Sequence, residues 1–322
     1  MSSITESAVK AAIAAIESES ATTVEKIEML IEMAVGFQKK PKSSQELLDA
    51  VSLYYRAIDL CAEEHSLLRA RATAGMGTAL RAIPSEGPEL LMQALVAYQT
   101  ALPILRGFAS PEEVAEAQMN LGLVLQSLVP FNKARIDDSI QAYQRALEVF
   151  TWQTYPQEYA ILHNNIAIAY LSMQLDSDWE GLSQALAVQS FEQALKWITL
   201  FDHPSEYAML QNNLGNALQY LPSSHPVENN LRAIAAYDEA LKVRNPKDTP
   251  IEYANTVSNK ANALSNLPDN PEKPEAGNPK NFLQARSYYQ QAQDIFTLYG
   301  QIEPAQMVAQ ALQELEYDIA NA

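Results

Sequence analysis

Pro204-Ser-Glu-Tyr-Ala-Met-Leu-Gln-Asn-Asn-Leu-Gly-Asn-Ala-Leu218, followed by Ala233-Ile-Ala-Ala-Tyr-Asp-Glu-Ala-Leu241, decides the fold of this chain. The first stretch has proline at a helix start, glutamate two residues on, and apolar residues at three- and four-residue steps through Tyr207, Leu210, Leu214 and Leu218. That is the pattern of an amphipathic helix opened by proline; it is designated helix A. The second stretch places a small residue, an aromatic four later and an alanine three after that, so that all three share one helix face; it is helix B. Neither face can be buried by one hairpin, but a stack of hairpins buries both.

The same two elements recur along the chain. Without gaps, Pro111-EEVAEAQMNLGLVL, Pro156-QEYAILHNNIAIAY and Pro250-IEYANTVSNKANAL align with the stretch from Pro204, their prolines lying 45, 48 and 46 residues apart. Helix B repeats as Ala50/Tyr54/Ala57, Ala94/Tyr98/Ala101, Ser139/Tyr143/Ala146, Ala187/Phe191/Ala194, Ala233/Tyr237/Ala240 and Ala285/Tyr289/Ala292. The spacing makes Tyr54, not its neighbour Tyr55, the packing residue of the first pair. Ser110 and Thr249 stand at N-cap positions before Pro-Glu-Glu and Pro-Ile-Glu, which predicts capping boxes there.

The run Asn213-Leu-Gly-Asn-Ala, continued by Ala233-x3-Tyr237-x2-Ala-Leu, resembles the tetratricopeptide repeat (TPR) over roughly residues 21 to 300. The implied fold is all-α, a right-handed superhelical solenoid of antiparallel helix pairs. Six pairs are expected at 21–62, 65–106, 111–151, 156–200, 204–244 and 250–299, with capping helices in 1–20 (chiefly 4–18) and 301–322. An ordinary repeat is about 34 residues; here 44 to 52 separate the B-helix aromatics. The added residues fall between helices A and B, as in Pro130-Phe-Asn-Lys133 and Pro222-Ser-Ser-His-Pro226. This enlarged form is similar to the TPR arrays of bacterial, notably cyanobacterial, regulators. Residues 268–280, with Pro268, Pro271, Pro274, Gly277 and Pro279 among them, are expected to form an exposed, mobile loop.

Composition narrows the functional classes. Twenty-two basic against 39 acidic residues give a net charge of −17, which disfavours nucleic acid and anionic membranes as partners. No apolar stretch approaches the ~20 residues needed to span a bilayer. A single cysteine, Cys61, fits a reducing compartment, and the N-terminal residues lack the pattern of a secretory signal; a cytoplasmic location is expected.

Nine residues after each repeat proline stands an asparagine: Asn120, Asn165, Asn213 and Asn259. Asparagine is a poor helix-interior residue, so its recurrence calls for a side-chain role. Two roles fit: bridges that stiffen neighbouring A helices, or, as the resemblance to TPR proteins implies, concave-face amides that bind a peptide backbone. Both are open, at different repeats. The concave groove is expected to include Asn164, Asn212, Asn216 and Asn262, with Ile161, Ile168 and Leu171 making its middle apolar. The TPR carboxylate clamp needs lysine where Met119, Asn164, Asn212 and Ser258 stand, so binding of acidic tails in that manner is not expected, although Asn216 and Asn262 match its asparagine.

Little points to catalysis. His65, His163, His203 and His225 lack metal-ligand spacing, and no phosphate loop or nucleophile elbow occurs. Asp176-Ser-Asp178-Trp-Glu180 resembles the start of a calcium loop, but Ala187 stands where a bidentate glutamate is required. The expectation is a non-enzymatic adaptor or scaffold, without cofactor, metal or small-molecule substrate, that holds a peptide or helix of another protein in its groove. The alternative is a regulatory subunit that meets its partner through the enlarged A–B loops.

Overall fold

The computed structural model of the chain describes residues 13, 14, 16, 20–173, 180–222 and 226–321. Among the described residues every regular element is helical, and two compact units divide the chain at Phe150 and Thr151. The first unit contains α1 (Thr23–Lys39), α2 (Ser44–Leu60), α3 (Ser66–Ala82), α4 (Glu89–Phe108), α5 (Pro111–Leu128) and α6 (Ile136–Leu147). The second contains α7 (Pro156–Leu171), α8 (Glu180–Leu195), α9 (Pro204–Gln219), α10 (Pro226–Leu241), α11 (Pro250–Ser265), α12 (Pro279–Leu298) and α13 (Ile302–Asn321). Odd-numbered helices up to α11 are A helices, and each packs against the B helix that follows it. In both units successive A helices also touch one another. The architecture is therefore an all-α repeat of helix hairpins, ended by α13.

Helix starts follow their local chemistry. Thr22 caps α1 by accepting from Glu25 N at 3.3 Å, while the Glu25 carboxylate accepts from Thr22 N at 2.7 Å, a complete capping box. Ser110 accepts from Glu113 N, also at 3.3 Å. The box expected at Thr249 does not form. Its hydroxyl accepts instead from Asn245 N at 2.9 Å, inside the preceding turn. Proline sits at the first position of α5, α7, α9, α11 and α12, where its missing N–H costs nothing. Pro103 is different: it lies inside α4, where it withholds a donor from the carbonyl of solvent-exposed Gln99.

The core is built on the B-helix aromatics. Tyr54, Tyr98, Tyr143, Phe191 and Tyr237 are at most 1% exposed and Tyr289 is 6%, whereas Tyr55 is 49% exposed. Four of these rings lie over a glycine of an A helix: Tyr54 over Gly75, Tyr98 over Gly77, Tyr143 over Gly122 and Tyr237 over Gly215. A methyl group on Gly215 would lie 2.5 Å from the Tyr237 ring, so glycine there is a requirement of close approach. The phenols keep partners inside the stack. Tyr143 donates to Gln126 Oε1 at 2.8 Å, and Tyr237 donates to Asn216 Oδ1 at 2.7 Å while accepting from Gln219. In α7 the position of Gly122 and Gly215 is Ala167, that of Gln126 and Gln219 is Leu171, and the ring of α8 is Phe191. Without a hydroxyl to satisfy, the hydrogen-bonding residue is absent as well.

The expected loop at 268–280 is exposed but tied down. Asp269 accepts from Lys280 N and Asn281 N at 2.9 Å each, capping α12, and Asp269 N donates to Gly277 O at 3.0 Å. One 3-10 turn, Pro274–Ala276, lies within it, and Gly277 adopts φ 75°, a conformation that favours glycine. The expected N-terminal helix lies outside the described residues except at positions 13, 14 and 16, where Ile16 is buried in the core of the first unit.

Three substitutions test this packing by chemical denaturation. Gly215→Ala should cost about 1–3 kcal/mol through overpacking against Tyr237. Gly36→Ala, with nothing within 4 Å of the added methyl, should gain about 0.5–1 kcal/mol from helix propensity. Tyr143→Ala should cost about 3–5 kcal/mol.

Candidate functional site

On the second unit the A helices are joined by asparagine side chains. Asn259 on α11 donates to Asn212 Oδ1 on α9 at 3.4 Å; Asn212 Nδ2 donates to Asn213 Oδ1 at 2.9 Å; Asn213 Nδ2 donates to Asn164 Oδ1 on α7 at 2.7 Å; and Asn164 Nδ2 lies 3.5 Å from Asn165 Oδ1. The result is one amide chain across three helices, tight in the middle and long at both ends. Asn164 and Asn212 are buried, 7% and 6% exposed, while Asn165, Asn213 and Asn259 are half-buried. An amide both donates and accepts, so each can serve as donor and acceptor in turn.

Asn216 and Asn262 belong to a second, adjoining set. Asn216 accepts from the Tyr237 phenol, and Asn262 Nδ2 donates to Gln219 Oε1 at 2.9 Å. Ile161 and Ile168 are each 37% exposed on α7, and Leu171 is half-buried.

Asn120 lies in the first unit and differs from its three counterparts. It is half-buried, and its side chain makes no hydrogen bond to any described residue. Its side chain lines a cavity of about 310 Å³ bounded by three A helices, α1, α3 and α5, with Tyr54, Tyr98 and Leu105 contributed by B helices. Two small residues make room. Ala117 occupies the position filled by fully buried Leu162 and Leu210 in the later repeats. Gly75 occupies the asparagine-column position on α3, since Gly77 and Tyr98 stand 21 residues apart, as do Gly122 and Tyr143.

At one side of the cavity Arg71 holds Glu113 in a two-pronged ion pair, Nε and Nη2 each 2.8 Å from a carboxylate oxygen. The hydrogen bond from Arg71 holds the Glu113 carboxyl below the usual range. The Tyr54 phenol donates to Gln38 Oε1 at 3.0 Å, and burial pushes its pKa up to about 12, so it stays protonated. Lys39 and Glu116 complete the charged lining, two cations against two anions in all.

Sequence reasoning placed the asparagines but missed Arg71, Glu113, Gly75 and Ala117. The signal available was the departure of α3 from the later repeats at the column position, Gly75, and of α5 at Ala117 and Met119 beside it. Among the described residues no group of three His, Cys, Asp or Glu side chains could hold a metal ion, and no helix is long and apolar enough to cross a membrane. The first four positions of the calcium-loop resemblance at 176–187 lie outside the described residues, and the rest belong to α8. Cys61 is buried, with its thiol against Ala57 O at 3.2 Å, and burial pushes its pKa up. His163 faces Ser190 of the paired B helix, Nδ1 to Oγ 3.1 Å, with its ring against Tyr159. On the turns that join pairs, Trp152 and Trp197 stack at 3.7 Å, and Phe201 is 90% exposed.

No protein-family profile matches the sequence, and no curated protein sequence does so significantly. Solved structures do resemble it. The apo form of RapI superposes with a TM-score of 0.50 at 14% identity, covering 92% of this chain and 100% of that one. A Rap protein complexed with competence and sporulation factor gives 0.45 at 12% identity, covering 96% and 80% of the two chains. The TPR2AB domain of yeast Sti1 in its pHSP90 complex gives 0.28 at 15% identity, covering 91% and 99%. The RapI likeness concerns the fold alone, and it agrees with the TPR-like repeat read from the sequence.

The two settings of asparagine predict different costs. Asn164→Ala breaks a buried link and strands the Asn213 amide, so it should cost about 1–3 kcal/mol. Asn120→Ala removes no hydrogen bond to a described residue and should change stability by less than about 0.5 kcal/mol. A pH series adds a third check. Burial lowers the His163 pKa from 6.5 to about 4, so the unfolded chain takes up a proton that the folded chain refuses. That contribution to stability is complete above the unfolded pKa and declines as pH falls from about 6.5 towards 4, by on the order of 2–3 kcal/mol. Denaturation midpoints measured across this window should show a shallower decline in His163→Gln than in the wild type.

Proposed function

We propose that the chain is a non-enzymatic protein-interaction module that holds an extended segment of another protein against the faces made by its A helices. The observation that carries this reading is Asn120: a half-buried amide without a partner among the described residues, opening on a cavity lined by three successive A helices. An extended backbone offers the donor and acceptor that such an amide can meet. On the second unit, Asn165, Asn213 and Asn259 are half-buried beside exposed Ile161 and Ile168. They offer a further stretch of the same character, with Asn164, Asn212, Asn216 and Asn262 behind them and Leu171 at the apolar end. No cofactor or metal enters this reading, and nothing in it requires nucleic acid, a membrane or a small-molecule substrate. The acidic surface favours basic partners during encounter.

The test compares variants for the partner they retain from native extract. Asn120→Ala should lose it at least about tenfold with an unchanged melting temperature, a change of about 1.4 kcal/mol in binding. The double variant Asn165→Ala, Asn213→Ala measures the contribution of the second unit. Undiminished capture by all of these, with loss on replacing Pro130–Lys133, would transfer the site to the A–B loops and favour the regulatory reading.

A further inference from the structure

The asparagine column has a gap in the first unit. On α7, α9 and α11 every column asparagine meets another side-chain amide. In each case the partner is the asparagine that directly precedes a column position, either on the same helix (Asn164 for Asn165, Asn212 for Asn213) or on the preceding A helix (Asn164 for Asn213, Asn212 for Asn259). Around Asn120 both are replaced. The residue before Asn120 is Met119, and on α3 the residue before the column position is Ala74, with Gly75 in the column itself. The missing groups leave open space of about 310 Å³, further enlarged by Ala117 where leucine stands in α7 and α9.

We propose that this cavity is a receptor for a primary carboxamide, the side chain of an asparagine or glutamine in the bound segment, which completes the amide chain that the sequence of the first unit interrupts. The proposal rests on the peptide-holding reading above and specifies its ligand. Asn120 supplies one donor and one acceptor. The Tyr54 oxygen, whose proton goes to Gln38, keeps lone pairs for an incoming N–H. A neutral ligand fits the charge pattern. Arg71 is committed to Glu113 through two bonds, and the remaining Lys39 and Glu116 balance, so the lining offers no net charge to select a carboxylate or an ammonium. Rejection of charged and apolar isosteres follows, because a carboxylate cannot donate to Asn120 Oδ1, and a thioether leaves both atoms of that amide unmet.

Peptide display on the immobilised full chain tests both levels. Under the proposal, enriched peptides share a glutamine or asparagine at one position. Changing that residue to glutamate or methionine weakens binding at least about tenfold, the scale of one hydrogen bond left unmade. Ala117→Leu, which fills the cavity with the side chain used in α7 and α9, abolishes the binding. Asn120→Asp, isosteric and without an amide donor, serves as the second variant should the leucine unfold the unit. Enriched peptides that depend on Ala117 or Asn120 but carry no amide residue overturn the carboxamide proposal and leave the peptide site standing. Enrichment indifferent to both variants, or none at all, overturns the two together. As a direct readout, N-acetylglutamine methylamide should shift the Asn120 side-chain amide resonances saturably, while the glutamate and methionine analogues should not. Equal shifts from all three would reject the assignment.

Discussion

A tyrosine ring resting on a glycine of the facing helix sets the geometry on which the rest of this structure depends. With the ring at that depth, the A and B helices approach more closely than a Cβ would permit, and the phenol oxygen arrives where only another polar side chain can satisfy it. Gln126 and Gln219 answer that demand for Tyr143 and Tyr237. Glycine, aromatic and glutamine are therefore one unit of three residues spread over two helices. Where the aromatic is phenylalanine the other two change with it. Hydrophobic burial supplies most of the stabilisation of such a core, but this contact fixes the register in which the helices meet.

Once the hairpins are fixed in that register, equivalent positions on neighbouring A helices come within reach of one another. Asparagine at those positions produces the amide chain of the second unit, and its absence at Gly75 produces the cavity of the first. The same scaffold position thus serves cohesion in one unit and vacancy in the other. Hydrogen-bonded amides that link helices resist rearrangement, whereas the cavity of the first unit is left open by two small residues, Gly75 and Ala117.

The helical repeat was legible in the sequence because its periodicity is expressed by large residues at fixed intervals, and the choice of Tyr54 over Tyr55 followed from spacing alone. The Thr249 cap was not legible, since the competing acceptor geometry depends on how the Asn245 turn closes. Nor was the ordering of residues 268–280, which rests on Asp269 reaching across the loop to the first amides of α12. The asparagine column was visible, but its division into bonded and free members was not. That division depends on residues one position earlier, Met119 and Ala74 against Asn164 and Asn212, and Ala74 lies in a repeat that the gap-free alignment of four never included.

The amide chain also has a direction, since every link that crosses between helices donates towards the earlier helix. A repeat carrying two consecutive asparagines can receive from the hairpin that follows it and give to the one that precedes it, and so acts as a through-connector. A repeat with a single asparagine, as in Ser258-Asn259, can only begin the chain. Tandem duplication of the Pro204 repeat would therefore lengthen the chain by one bridged helix, while duplication of the Pro250 repeat would insert a fresh starting point and break it. The array carries in two adjacent residues a rule for which of its modules can be multiplied without interrupting its polar spine.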